Sequence, residues 1–260
     1  MLGVLSEGAG VGRENGTMAL RIADVSGEAI LLAGGARAIL LQLANPGVAA
    51  GVAGHSDFAD RPLDRLHGTL TYLYVIVYGT GTEARAIARA VGEAHRPVAG
   101  ANDPGLQLWV AATLYDTAMQ VHELVNGPLS DDDAESLLQD YAIVGTALGV
   151  PRSDWPANRA AFAAYWSREL DGARVDAPAR AVAQALLHPV AGPWWLKAVM
   201  PTVRMVTAGL LSPGLREAYG LPFDAKRFAR AVRFVRAVYP RLPRAVREAP
   251  KRRYLRAYRA

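Results

Sequence analysis

The chain of 260 residues contains no cysteine. That excludes disulfides, thiolate zinc sites, iron–sulfur clusters and a cysteine nucleophile. A metal would have to be met by His, Asp, Glu or Tyr, or arrive with ligands of its own, and histidine is scarce at five residues. Alternating runs of β-branched residues are few, which weighs against a sheet. There is no clean membrane span either. The longest apolar stretch, roughly residues 30–53, is interrupted by Arg37, Gln42, Asn45 and Pro46, whereas a span needs about 20 uninterrupted apolar residues. The N-terminal MLGVLSEGAGVGRENG is Gly-rich, with neither a basic start nor a long apolar segment. It reads as a flexible arm over residues 1–16 rather than a signal peptide, and cytoplasmic location is the expectation.

What is present is apolar and helix-forming. Hydrophobic residues make up 51% of the chain, enough for one sizeable core, and Ala, Leu and Arg are abundant. Charge is uneven. From Lys226 onward there are 13 basic residues and one acidic residue, Glu248, leaving 16 basic and 23 acidic residues in the rest. A net +12 tail therefore follows a net −7 body. Such a tail can meet nucleic acid, an anionic membrane or the acidic body itself.

Turn signals divide the chain into about ten helices. Asn45-Pro46-Gly47 breaks the first long helix. Residues 71–78 (TYLYVIVY) look strand-like in composition, but they continue the apolar spacing of Leu66, Leu70 and Leu73 and are read as a buried helix. Gly79-Thr80-Gly81-Thr82 separates that helix from the next, with Thr80 or Thr82 as N-cap. Pro97 ends the second helix of this pair. Asp103-Pro104 starts another, to about Val125, and Ser130 with Asp131 to Asp133 caps a further start. Later helices are expected over residues 155–170, 178–187, 194–211, 225–239 and 244–258. The expected fold is all-α: an arm, a helical domain over residues 17–224, and basic helices over 225–260 packed on or beside it.

Few residues suggest chemistry. His95 ends a helix whose face carries Ala84, Ala88 and Val91, small enough for a flat ligand or another helix to approach. A neutral imidazole there can ligate haem iron; the plainer reading is a terminal histidine meeting the helix dipole or solvent. Arg65 and Thr69 stand one turn apart and can reach one small ligand, Arg with a permanent charge and Thr with a hydroxyl. Alternatively, Arg65 pairs with Asp60 or Asp64 and Thr69 bonds back to its own helix.

Other motifs carry less. His55-Ser56-Asp57 cannot form a catalytic triad from adjacent positions, and no G-x-S-x-G is present. His122-Glu123 lacks the second histidine of H-E-x-x-H, since Asn126 stands there. Gly34-Gly35 lies within an apolar helix and marks a close helix crossing rather than a phosphate loop. Asp116 is expected to be a buried or interfacial acceptor. The basic helix from Lys226 through Arg230, Arg233 and Arg236 is amphipathic. It suits docking on the acidic body or, as a sharper alternative, an anionic membrane. No nucleic-acid recognition motif accompanies it.

Several stretches together resemble the family that groups MpaB-type oxygenases with the rubber oxygenase, or latex clearing protein. They are LLQLANPGVAAGVAGHSDF from Leu40, R-x-x-x-T at Arg65 and Thr69, YGTGTEARAIARAVGEAH from Tyr78, DPGLQLWVAATLYDTA from Asp103, GPLSDDD from Gly127 and LREAYGLPF from Leu215. The resemblance implies an all-α, distantly globin-like fold with haem b. His95 would be the iron ligand, with Arg65 and Thr69 near the haem or bound dioxygen and a small apolar substrate receiving oxygen. The alternatives are a haem-binding sensor or carrier without turnover, or a haem-free scaffold peripheral at a membrane. Gly68 and Gly92 stand where the rubber-cleaving branch has Lys and Arg. Asn45 and Ala111 stand where small bacterial relatives often carry His. Rubber cleavage is therefore not implied.

Overall fold

A computed structural model describes residues 19–54, 62–189 and 194–260, without the side chains of residues 53 and 62–65. The proposed arm and the His55-Ser56-Asp57 cluster lie outside the described residues. Among those described, the chain is all-α, with no strand. The helices are α1 (Ile22–Val25), α2 (Gly35–Leu43), α3 (Pro46–Ala53), α4 (Pro62–Tyr78), α5 (Gly81–His95), α6 (Pro104–Asn126), α7 (Asp131–Thr146), α8 (Arg159–Gly172), α9 (Ala177–Leu187), α10 (Trp194–Leu210), α11 (Pro213–Ala218), α12 (Ala225–Val238), α13 (Arg244–Arg247) and α14 (Ala249–Arg259).

Local chemistry sets the helix starts. Thr80 caps α5 through a reciprocal box: its hydroxyl accepts from Glu83 N, and the Glu83 carboxylate accepts from Thr80 N at 2.7 Å. Asp103, Ser130 and Asp176 cap α6, α7 and α9 in the same side-chain-to-backbone manner. Asn45 caps α3, its Oδ1 accepting from Gly47 N at 2.9 Å. Residues 71–78 are helical within α4, as their continuous apolar spacing requires. Two expectations shift. The helix expected from residue 155 begins at Arg159, because Trp155 is instead buried with its indole donating to Leu138 O at 2.9 Å. The helix expected over 244–258 is split at Glu248, before Pro250, into α13 and α14.

Helix α6 is the axis of the fold. Buried residues occur all round it, from Gln107 to Val125, and it packs against α2, α7 and α12. One core layer gathers Tyr115, Tyr141, Trp155 and Phe162 with Leu137 and Leu138. Their rings meet edge to face, Tyr115 to Phe162 at 4.9 Å between centroids, a geometry the ring quadrupoles favour. A second layer joins Leu40, Leu41, Trp109, Leu187, Met200 and Tyr219. In the second layer the polar tips of the aromatics are satisfied: Trp109 Nε1 donates to Leu41 O and the Tyr219 hydroxyl to Leu40 O. No single described helix is long and apolar enough to cross a membrane; one bent pair, Ala29–Leu43 with Pro46–Val52, passes on length and composition at a 102° bend.

A buried ion pair ties three helices together. Arg37 on α2 is 3% exposed. Its guanidinium donates to Asp116 Oδ2 and Thr117 Oγ1 on α6, each at 2.6 Å, and to Leu210 O at the end of α10 at 2.8 Å. Asp116 is thus the interfacial acceptor expected. Gly34 marks the expected close crossing, since a Cβ there would stand 2.5 Å from Thr117 Cγ2.

The C-terminal helices return to the body. Helix α14 packs on α4. Arg247 meets Glu28 at 2.7 Å and Arg259 meets Glu83 at 2.8 Å. Two cations of the basic tail, Arg247 and Arg259, thus dock on acidic groups of the body, whereas Arg244 and Lys251 pair with Glu248 within the tail.

Candidate functional site

Helices α4 and α5 form an antiparallel pair joined by a short turn. The pair opens against α2, α3 and the first half of α6, and a cavity of about 580 Å³ lies between them. This is a volume typical of small-molecule and cofactor sites. Thr69 from α4 and His95 from α5 both line it. So do Gly68, Ala111 and a mainly aliphatic wall that includes Ile39, Val52, Ile87 and Val91.

His95 is the last residue of α5 and is half-buried, with its Nδ1 enclosed by protein. The ring sits at the C-terminal end of the helix dipole, as the sequence suggested, and also at the cavity wall. The face of α5 that continues from it presents Ile87, Val91 and Ala94 to the cavity. Two glycines explain the closeness of the neighbouring segment. A Cβ at Gly51 would lie 2.6 Å from Ala99 O, and one at Gly47 would lie 2.9 Å from Leu106 Cδ2. Helix α3 is thereby pressed onto the turn that follows His95.

Thr69 behaves unlike a threonine spent on its own helix. Thr71, two residues on, donates to His67 O at 2.8 Å. The Thr69 hydroxyl makes no hydrogen bond with any described residue and is accessible in the cavity wall. Position 68 beside it has nothing within 4 Å of where a Cβ would stand. Gly68 therefore leaves open the volume that a longer side chain would occupy. Arg65 lies one turn before Thr69 on α4; its side chain is outside the described residues.

A second, narrower chamber of about 140 Å³ adjoins the first. Ile39, Gln42, Thr69, Leu114 and Val144 line both. Thr69 and Gln42 thus stand at the junction. The narrow chamber is otherwise walled by Leu31, Leu70, Leu73, Val77 and Ala118, with the half-exposed Leu32 and Leu66 on its outer side. A dry apolar cavity of about 150 Å³ holds a molecule the size of benzene. Gln42 is fixed by donation from its Nε2 to Thr113 Oγ1 at 3.1 Å. Gln107, 5% exposed, also borders the large cavity; its Nε2 donates to Ala101 O at 2.9 Å, and its buried Oε1 has no hydrogen bond.

The sequence reading did not select Gln42 or Gln107. Gln42 was visible only as a polar interruption of an apolar helix, which gives no direction. Ala111 lies on the cavity wall, whereas Asn45 is engaged as the cap of α3. His122 is on α6 but not in the cavity. Its Nδ1 is 3.2 Å from the Asn126 amide, and burial lowers its pKa from the ordinary histidine value.

The donor set bears on which metal could enter. Among the described residues, no group of three or more His, Asp or Glu could hold a metal ion. Among the described residues, His95 is the single imidazole on the cavity wall. A metal bound there would have to bring most of its ligands with it, as a porphyrin does. An apolar cavity of this size with one histidine fits such a group.

Comparison with known proteins agrees with the motifs. The family model described as ER-bound oxygenase mpaB/B′/rubber oxygenase, catalytic domain, matches residues 23–239. Two uncharacterized proteins, Mb2261 of Mycobacterium bovis and Rv2237 of Mycobacterium tuberculosis, are each 40% identical over 192 residues, covering 68% of this chain and 75% of theirs. No solved structure matches the chain. With the model spanning α1 to α12, the chain belongs to the mpaB/rubber oxygenase catalytic-domain family.

Proposed function

We propose that this protein is a haem b-dependent oxygenase of the cytoplasm, with His95 as the protein ligand to iron and a small apolar molecule as substrate. The observation that carries the reading is the convergence of Thr69 and His95, from two helices, on one largely aliphatic cavity of about 580 Å³. A family of oxygenases supplies the reaction class.

His95, on the cavity wall, would hold the group through its imidazole. Haem iron, when bound, supplies dioxygen chemistry that no side chain can provide. The Thr69 hydroxyl is available to donate to an oxygen atom in the cavity, and Arg65, one turn earlier, is assigned the role of placing positive charge near the same point. The largely aliphatic wall suits an apolar substrate. The narrower chamber, reached past Thr69 and Gln42, takes the apolar substrate or its apolar end.

The test is an ultraviolet–visible spectrum of protein purified from haem-supplemented cells. A strong Soret band is expected, and His95→Ala should abolish it while leaving the helical circular dichroism intact. A folded but colourless wild-type protein would overturn the haem reading and leave the scaffold alternative. Full haem loading in His95→Ala would overturn the ligand assignment. A loaded protein that consumes no dioxygen with any of a panel of terpenoid and alkyl substrates would be a sensor or carrier instead.

A further inference from the structure

The basic tail divides into two parts with different roles. In α13 and α14, Arg247, Arg244, Lys251 and Arg259 are engaged with Glu28, Glu248 and Glu83. In α12 the situation is reversed. Lys226, Arg227, Arg230, Arg233 and Arg236 are all exposed, and none of their side chains forms an ion pair or hydrogen bond with a described residue. No acidic residue occurs within α12.

The helix is already docked. Its inner stripe, Phe228, Ala231, Val232 and Val235, is partly buried, and Phe228 fills the space that Gly209 on α10 leaves by lacking a side chain. The outer face is therefore held outward by the body. Along it, Lys226, Arg230, Phe234 and Val238 recur at intervals of four, one row of a helix surface. Phe234 is 67% exposed and Val238 39%. Arg233 and Arg236 flank the row.

We infer that the outer face of α12 is a docking surface for an anionic lipid bilayer. Five unneutralised cations on one helix suit a negatively charged surface. Phosphate of any origin would meet those cations, but it gives no reason for a protruding Phe in the same row. A bilayer does, because it offers anionic headgroups outside and hydrocarbon just beneath, where a Phe side chain lodges. The contact is shallow and reversible, since the apolar stripe of α12 is committed to the body. Docking places the protein beside a reservoir of apolar molecules, though the surface does not depend on what the cavity holds.

The experiment is co-sedimentation of the full chain with vesicles of phosphatidylcholine alone and of phosphatidylcholine with phosphatidylserine. Binding is expected only to the anionic vesicles and is expected to fall with added salt. Each cation near such a surface changes affinity by about fivefold, so Lys226→Gln/Arg230→Gln/Arg233→Gln should bind about a hundredfold more weakly. Phe234→Ser should weaken vesicle binding several-fold without altering weak binding to double-stranded DNA. Arg253→Gln/Arg256→Gln, which removes exposed charge from α14, should cost much less per charge. All these positions are exposed, and circular dichroism checks that each variant folds. Equal binding to neutral vesicles, no binding to either, an equal loss per charge in the α14 variant, or DNA binding tighter than vesicle binding with Phe234→Ser silent would each overturn the inference.

Discussion

Replacing Arg37 with Met should be among the most damaging single changes in the chain. The side chain is enclosed, and each of its three nitrogens donates one hydrogen bond, to Asp116, Thr117 and Leu210 O. Met matches the length but leaves the Asp116 carboxylate with only the Gln120 amide, at 3.3 Å. Removing one member of a buried pair costs about 3–5 kcal/mol, chiefly through the charge left behind. For a chain of this size, about 2–4 °C is lost per kcal/mol, so a fall in Tm of roughly 10 °C is expected by calorimetry. The pH dependence follows from Asp116. Burial raises its pKa above the ordinary aspartate value, and Arg37 opposes that rise. Without Arg37 the pKa climbs further, so the folded state holds this proton more tightly than the unfolded chain does. Stability then falls as pH rises through that range, and the deficit of Arg37→Met should be smaller at mildly acidic pH than at neutral pH. Adding Asp116→Leu should recover a large part of the loss, because the orphaned charge is removed. A Tm within roughly 2 °C of wild type for the single variant, or no recovery in the double, would refute this account.

Other consequences are equally direct. Glu83 is held down to about 2 by Arg259 and by the capping N–H of Thr80; its stabilising contribution is present above the ordinary Glu range and is lost as pH falls through about 2, so a carboxyl NMR titration with a midpoint above 4 would contradict the ion pair with α14. Gly51→Leu should force α3 away from Ala99, destabilise by about 1–3 kcal/mol in chemical denaturation and, on the haem reading proposed above, lower haem retention as well. On the haem reading proposed above, Thr69→Val is expected to leave the Soret intensity unchanged but to slow substrate-dependent dioxygen uptake, since the Thr69 hydroxyl makes no hydrogen bond with any described residue. Ala118→Phe fills the narrow chamber; on the function proposed above it should raise KM for apolar substrates without reducing haem content.

The balance between local and tertiary information differs from element to element. Asp103-Pro104, Ser130 before three aspartates, and Asn45-Pro46 fixed helix starts unaided, because capping is a contact within four residues of chain. The helical state of residues 71–78 was also legible, since period outweighed composition. The start at Arg159 was not, because Trp155 left the helix for a hydrogen bond with Leu138, a choice made by the neighbouring helix. Likewise the fate of the basic tail depended on where Glu28 and Glu83 ended up.

For the site, the sequence by itself determined the candidates: one histidine after a small-residue face, and an Arg and Thr one turn apart before it. It also determined that helices would hold them, through period and caps that act over a few residues. It could not say that Thr69 and His95 share a cavity, that Thr71 rather than Thr69 bonds back to its helix, or that Gln42 stands where two chambers meet. Those facts depend on how α2, α4, α5 and α6 cross. The crossings are set by volumes and contacts far apart in the chain, such as the fit of Gly51 against Ala99 and the reach of Arg37 to α6 and α10.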